Sequence, residues 1–150
     1  MNIRTIVNES VDISLCGFLD KKEVEEKYQH FLLEEGDIIC STSGTIGKTA
    51  LITQDLLPLM LNTSIIRFRT KNANIVNNRF IYYFLKSKDF LEQALEHGTG
   101  TAQLNVGPSH LNKFYFNLPP LPEQERIVAK LDLLFAQHEK IKTSLEKIPQ

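Results

Sequence analysis

Cysteine is scarce in this chain: Cys16 and Cys40 are the only two among 150 residues, and they form no Cys-x-x-Cys pair. This usage argues against a disulfide framework and a cysteine-based zinc site. Long hydrophobic runs are also missing, because every apolar stretch is far shorter than the roughly 18 residues that a membrane span needs. With no secretory signal pattern either, the sequence predicts a reduced, cytoplasmic protein whose two thiols lie in its core.

The chain also lacks a large excess of positive or negative charge, because its formal net charge is −1. That balance argues against a protein that binds nucleic acid by bulk electrostatic attraction. The charges are nevertheless uneven. Residues 1–40 carry nine acidic and four basic side chains, whereas residues 41–118 carry eight basic and four acidic ones. The middle of the chain is therefore about +4, which leaves room for an anionic partner on one face.

Patterns that mark catalysis are absent as well. The four histidines are scattered without metal-ligand spacing, and no Gly-x-Ser-x-Gly sequence surrounds a serine nucleophile. The segment NLPP at residues 117–120 approaches the Asn-Pro-Pro-aromatic signature of DNA methyltransferases, but a leucine interrupts it and no aromatic residue follows. We therefore expect a non-catalytic protein with no metal ion and no cofactor.

One stretch is close to a nucleotide-binding motif: residues 41–49 read STSGTIGKT. A phosphate-binding loop needs a glycine where this chain has Thr42, and a helix where residues 49–53 have a strand pattern. We therefore disfavour a nucleotide-hydrolysing enzyme and expect a tight connection between strands, pivoting on Gly44 and Gly47. Its hydroxyl and ammonium groups suit phosphate oxygens. These groups belong to Ser41, Thr42, Ser43, Thr45 and Lys48.

Hydrophobic periodicity predicts an α+β fold. Alternating or short apolar patterns predict strands in four segments, which are residues 37–42, 49–53, 63–69 and 111–118. Residues 24–33 have a mixed pattern that is typical of a short helix running into a strand. Helical spacing begins at Asn77 and continues after Ser87, which we expect to cap a second helix.

A proline-rich boundary, LPPLP at residues 118–122, precedes a C-terminal helix. Pro122 is expected at its first position, with acidic residues against the positive end of the helix dipole. Along the helix, mostly apolar residues recur in alternating steps of four and three, which is the a/d pattern of a coiled coil. This heptad seam consists of Ile127, Leu131, Leu134, His138, Ile141, Leu145 and Ile148. It favours a partner helix, and the alternative is a helix that lies on its own domain.

Two segments together carry a family resemblance. In the first, LEEGDII at residues 33–39 leads into SGTIGK at residues 43–48; in the second, GTAQLN at residues 100–105 is followed by LPPLPEQERIV at residues 118–128. In this order and at this distance, the motifs resemble those of the DNA specificity (S) subunits of type I restriction-modification systems. The resemblance covers about residues 33–135.

The resemblance implies a domain organisation. A β-rich target-recognition domain with packed helices would occupy residues 1–118, and residues 119–150 would form the Pro-rich entry and a long coiled-coil-type helix for dimerisation and spacing. In this family each such domain reads one half of a split DNA site. Full subunits carry two units, and their helices pair antiparallel and dock the methylation subunits. This chain has one unit, so it resembles a half-subunit or a fragment.

The same resemblance implies partners and a DNA-facing surface. The partners would be double-stranded DNA, the methylation and restriction subunits, and a second copy bound through the heptad seam, in which case the target is a symmetric, interrupted site. The predicted DNA-binding residues are Ser43, Gly44, Thr45, Lys48, Arg67, Arg69, Thr101, Gln103 and Asn105.

Residue chemistry suggests how these side chains would contact DNA. Gln103 and Asn105 suit an adenine edge, although capping of turns is an alternative role for both. Arg67, Arg69 or Lys48 suit guanine or phosphate. The DNA sequence that is read does not follow from these residues. A second function also stays open, which is an assembly scaffold whose helix docks partner subunits while the domain binds little DNA by itself.

Overall fold

Short strands and helices alternate through residues 1–100 and 103–146, which are the residues that the computed structural model describes. The result is the predicted α+β fold with a long C-terminal helix. The strands are β1 (Ile6–Val7), β2 (Ser10–Val11), β3 (Ile38–Ser41), β4 (Thr49–Leu51) and β5 (Ile65–Phe68). The helices are α1 (Lys21–Glu23), α2 (Asn78–Leu85), α3 (Lys88–His97), α4 (Pro108–Leu111) and α5 (Leu121–Glu146).

The central sheet is antiparallel and has the order β4-β3-β5. In its register, Ile39 of β3 lies opposite Ala50 of β4 and Arg67 of β5. All four residues of β3 are buried, because successive side chains of a strand point to opposite faces and both faces are covered. Ile39 packs into a cluster with residues near the N terminus, and its neighbours pack against the helices.

Helices α2 and α3 cover the second face of the sheet. Asn77 caps α2 by accepting the N–H of Arg79 at 2.9 Å, and Ser87 caps α3 by accepting the N–H of Phe90 at 3.1 Å. Both caps confirm the predicted helix starts. Leu85 of α2 and Phe90 of α3 are buried against β3, so the two helices are fixed to the strand that leads into the glycine-containing loop.

The predicted strand over residues 111–118 is wrong. Its first residue ends α4, a turn follows at Asn112 and Lys113, and the rest of the segment joins no ladder among the described residues. The Gln93 side chain takes the place of a neighbouring strand: its amide donates to the Tyr115 carbonyl at 3.0 Å and accepts the Tyr115 N–H at 2.6 Å. The side chains still alternate in exposure, since Phe114 and Phe116 are half-buried and Tyr115 is exposed.

Smaller deviations concern element boundaries. The mixed segment at residues 24–33 forms a π-helical turn, Val24–Tyr28, and a 3-10 turn, Gln29–Phe31, and then pairs only through an isolated antiparallel bridge between Leu32 and Met60. Helix α5 begins at Leu121, so Pro122 occupies its second position. The missing N–H of proline is harmless there as well, because the first N–H groups of a helix have no intrahelical partner.

Candidate nucleic-acid interface

The Ser41 side chain is hydrogen-bonded to two residues of the connection between β3 and β4. Its hydroxyl donates to the Thr45 carbonyl at 2.5 Å and accepts the Lys48 N–H at 3.0 Å. Gly44 and Gly47 have φ angles of +71° and +87°, a backbone region that side chains with a Cβ rarely adopt. Because β4 follows Lys48 where a nucleotide site needs a helix, the connection is the predicted tight one between strands.

Two of the expected donors turn inward. Ser41 and Thr42 are buried, which corrects the expectation that their hydroxyl groups are available to phosphate. The reason is that β3 is covered on both faces, so its last side chains cannot reach solvent. Ser43 is half-buried, and Thr45 and Lys48 are exposed.

The second predicted loop lies directly beside the first. Ser43 forms an antiparallel bridge with Asn105, and the Gly44 N–H donates to the Leu104 carbonyl at 3.2 Å. The Gln103 side-chain amide donates to the Ser43 hydroxyl at 3.2 Å. The two loops therefore lie side by side, and we call their described predicted residues the loop ledge: Ser43, Gly44, Thr45, Lys48, Gln103 and Asn105. Thr101, also predicted here, lies outside the described residues.

Two glycines set the shape of the loop ledge. A Cβ at Gly100, where φ is +111°, would lie 2.2 Å from the Gln103 backbone carbonyl oxygen, so a side chain cannot fit. A Cβ at Gly44 would lie 2.9 Å from the end of the Gln103 side chain. Gly100 thus lets the second loop turn back tightly on itself, and Gly44 leaves room for the Gln103 side chain of that loop.

The two arginines of the predicted DNA-binding set lie elsewhere. Arg69 forms a two-pronged ion pair with the buried Asp37, at 2.6 and 2.7 Å, and a further one with Glu34 at 2.8 Å. The hydrogen bonds to Asp37 raise the pKa of the Arg69 guanidinium. Arg67 donates to the Leu32 carbonyl at 2.7 Å. Asp37 and the loop ledge lie beyond opposite ends of β3, and the six residues from Asp37 to Ser43 span at most about 20 Å at 3.3 Å per residue.

These contacts give the arginines a structural role in the free protein. The pair between Arg69 and Asp37 joins β5 to the start of β3, and it satisfies a carboxylate that is only 1% exposed. DNA contact by Arg69 would compete with this pair, while Arg67 retains further N–H groups beyond the one it donates to Leu32. The predicted DNA role of both residues stays a prediction.

The heptad seam is divided between two environments. Helix α5 lies on α2 through Gln124 and Val128, which are buried, and the neighbouring seam residues Ile127 and Leu131 are half-buried. Further along, the seam is open: Leu134 is 47% exposed and Ile141 61%. His138 and Leu145 are exposed as well, and Ile148 lies outside the described residues. The helix thus lies on its own domain at its start and leaves its second half free.

Gln124 is a residue whose importance sequence reasoning missed. It is fully buried, and its side-chain amide makes hydrogen bonds with the backbone at Asn77, Ile75 and Pro119. These bonds tie the start of α5 to the loop before α2. The signal that could have found it is its place inside the PEQER motif that carries the family resemblance.

Comparisons with known proteins decide the family. The profile described as "Type I restriction modification DNA specificity domain" matches residues 8–150, which is nearly the whole chain. The chain belongs to this family. The specificity subunit of the type I restriction enzyme EcoAI from Escherichia coli is 28% identical to this specificity domain over 127 residues, which cover 82% of this chain and 21% of that protein.

Two further comparisons agree. The specificity subunit of the type I restriction enzyme EcoKI from Escherichia coli strain K12 is 28% identical over 148 residues, 97% of this chain and 31% of that protein. The crystal structure of the HsdS subunit from Thermoanaerobacter tengcongensis superposes with a TM-score of 0.63 at 25% identity, over 75% of this chain and 29% of that one. The specificity domain described here thus spans between 21% and 31% of the length of these proteins.

The described residues were also compared with the requirements of a metal site, a membrane-spanning helix and a reactive cysteine. Within residues 1–100 and 103–146, no group of three or more histidine, cysteine, aspartate or glutamate side chains is placed to hold a metal ion. No helix in the same residues is both long and apolar enough to cross a membrane. Cys40 is buried, and burial raises the pKa of its thiol to about 12, so it is a core residue. Cys16 is half-buried against the other apolar cluster, which contains Ile39.

Proposed function

We propose that this chain recognises a DNA sequence as the target-recognition unit of a type I restriction-modification complex, and that catalysis belongs to separate methylation and restriction subunits. The observation that supports this most is the loop ledge. Two loops with glycines at positive φ are hydrogen-bonded to each other, and together they carry hydroxyl, amide and ammonium groups. The domain also belongs to a family described by its DNA specificity.

The loop ledge combines the two kinds of contact that DNA recognition needs. Lys48 and the Thr45 hydroxyl suit phosphate oxygens, which position a protein on the duplex. Gln103 and Asn105 can each bind the N6 and N7 atoms of adenine with a side-chain amide. Because the Gln103 amide already donates to Ser43, its orientation is restricted before DNA arrives, and less side-chain entropy is lost on binding.

The partners are proposed on the same grounds. We place the boundary between the target-recognition domain, residues 1–118, and the partner helix, residues 119–150, at the Pro-rich entry. The open half of the heptad seam offers apolar side chains to another helix, which can come from a second copy of this chain or from a methylation subunit. A homodimer would read a symmetric, interrupted DNA site. This open half also keeps the assembly scaffold as the second candidate function.

Salt dependence separates DNA recognition from the scaffold function. Binding of labelled duplexes of mixed sequence is measured by fluorescence anisotropy between about 50 and 200 mM salt, because phosphate contacts make affinity fall steeply over this range. Lys48→Ala is expected to weaken binding to all sequences and to reduce the slope of log K against log salt by about 1. Lys113→Ala, an exposed lysine outside the loop ledge, is the matched control. Absent binding at every salt concentration favours the scaffold.

A further inference from the structure

Polar side chains hold helix α5 to the domain at two separated points, with the buried Val128 packed between them. The first is Gln124, whose three hydrogen bonds fix the start of the helix. The second lies about 12 Å further along, at 1.5 Å per residue, where Asp132 meets α2. Beyond Phe135 every described residue of α5 is exposed, so the rest of the helix projects from the domain. Two points of attachment fix the direction of the helix axis relative to the domain, whereas a helix attached at one point could rotate about that point.

The second point is a compact network of polar and aromatic groups. The Asp132 carboxylate accepts hydrogen bonds from the Arg79 guanidinium and from the Tyr83 hydroxyl, both on α2. The Tyr83 ring stacks on Phe135 with centroids 5.6 Å apart and an interplanar angle of 8°. The Lys86 ammonium lies 5.0 Å from the centroid of the same Phe135 ring. Arg79, Tyr83 and Lys86 recur at helical spacing, so one face of α2 presents all three to α5.

The same network reaches the N-terminal hairpin. Glu9 accepts hydrogen bonds from the Tyr82 hydroxyl at 2.7 Å and from Lys86. Asn8 and Glu9, which form the turn between β1 and β2, have positive φ angles of 49° and 64°. Glutamate is an unfavourable residue for this conformation, and such strain persists only where surrounding contacts hold it. The hydrogen bonds from Tyr82 and Lys86 to Glu9 stabilise this conformation and fix the hairpin against α2.

Helix α2 is also fixed to the strand that carries the loop ledge. On the side of α2 that faces the sheet, Tyr82 and Leu85 lie in one buried cluster with Ile38 and Cys40 of β3. The path from the loop ledge to the projecting helix therefore runs through β3 and α2 to Asp132, with packed or hydrogen-bonded groups at each step.

From this arrangement we propose that Asp132, held by Arg79 and Tyr83, is a positioning residue that sets the angle between the DNA-reading surface and the projecting part of α5. In a two-unit assembly that angle would set the separation of the two half-sites. This last consequence rests on the proposed function, whereas the control of the angle does not. Phe135, stacked between Tyr83 and Lys86, completes the orientation lock that these residues form.

A small change of angle would matter for DNA. Glu146 lies about 33 Å from Gln124 along the helix axis, at 1.5 Å per residue. A tilt of about 10° about Gln124 would move that end by roughly 6 Å, which is almost two base pairs at 3.4 Å each. Loss of the orientation lock is therefore expected to blur the spacing between half-sites without altering how one half-site is read.

The orientation lock is tested by measuring an intramolecular distance distribution. Spin labels are attached at Lys113→Cys and Thr143→Cys, both exposed positions, after Cys16→Ser; the buried Cys40 stays unlabelled. Labelled chains are diluted with unlabelled ones so that only distances within one chain are recorded by pulsed electron double resonance. The compared variants are Asp132→Ala, Asp132→Asn and the matched control Glu125→Gln, an exposed carboxylate on the same helix.

We expect one narrow distribution of the distance between the two labels for the parent chain and for Glu125→Gln. For Asp132→Ala we expect a distribution at least twice as broad. Asp132→Asn keeps the shape of the side chain but loses the charge that holds Arg79, so a distribution of intermediate width is expected. If the alanine variant does not fold, the asparagine variant alone decides the outcome. Equal widths in the folded Asp132 variants and the parent overturn the proposal. Affinity for single half-site duplexes, measured in parallel, is expected to be unchanged. Absent DNA binding by the parent contradicts the proposed function and leaves the distance result standing.

Discussion

Replacement of Gln124 by alanine is expected to be among the most destabilising single changes outside the apolar core. Gln124 is 0% exposed, and its amide donates to the carbonyls of Ile75 and Pro119 at 2.9 and 2.7 Å and accepts the Asn77 N–H at 2.8 Å. Alanine leaves these three backbone groups without their partner and cannot fill the space. The start of α5 would thereby lose its attachment to the loop before α2.

The size of the effect follows from the three lost partners. Each buried group left unpaired costs about 1–3 kcal/mol, and we use the lower end because water can reach the exposed Ile75. The variant regains roughly 1 kcal/mol of side-chain entropy that glutamine loses on burial, while the cavity adds a similar cost. A net loss of about 3 kcal/mol is expected, which is large against the roughly 5–15 kcal/mol that holds a domain folded.

Urea unfolding followed by far-ultraviolet circular dichroism measures this loss. The midpoint should fall while the slope m stays constant, because the folded surface is the same. Gln137→Ala, an exposed glutamine on the same helix, is the matched control, with an expected change within about 0.5 kcal/mol. A loss below about 1 kcal/mol for Gln124→Ala would refute the view that this amide anchors the helix.

Three further outcomes are expected. Gly44→Ala should lower DNA affinity for every sequence in anisotropy titrations, because φ is +71° and the new Cβ would displace Gln103; an unchanged affinity would contradict the proposed role of the loop ledge. Leu134→Glu with Ile141→Glu should abolish any self-association seen by sedimentation, with Lys140→Glu as the control, and a persistent dimer would place the interface elsewhere. Burial would raise the pKa of Asp132, but the hydrogen bonds from Tyr83 and Arg79 hold it below the ordinary 3.8. The stability difference between the parent and Asp132→Asn should therefore be present at neutral pH and vanish as pH falls through that lowered value, whereas a constant difference would exclude the ion pair as its source.

Sequence patterns predicted correctly those elements that depend on residues close together in the chain. The caps at Asn77 and Ser87 are side-chain contacts within three residues, and the glycines at 44 and 47 mark the backbone conformation that they permit. The family motifs brought the loops at residues 43–48 and 100–105 to one candidate surface, and the structure places their described residues side by side.

The sequence did not predict contacts with partners that are distant along the chain. The alternating pattern at residues 111–118 is real, but the Gln93 side chain pairs its backbone, and no local pattern reveals that. Arg67 and Arg69 alternate as a solvent-facing pair would, yet their partners lie more than 30 residues away in sequence. The contact of Asp132 with α2 joins residues about 50 positions apart, so the heptad pattern gave no sign of it.

The central claim is that the loop ledge reads DNA bases, and selection from a random duplex pool tests it most directly. The parent chain and a variant with Gln103→Ala and Asn105→Ala are selected in parallel, each with and without the methylation subunit. We expect the parent to enrich a defined sequence and the variant to enrich the same sequence with its adenine positions degenerate. Enrichment of an identical sequence by both proteins, or of none by the parent in either condition, would contradict it.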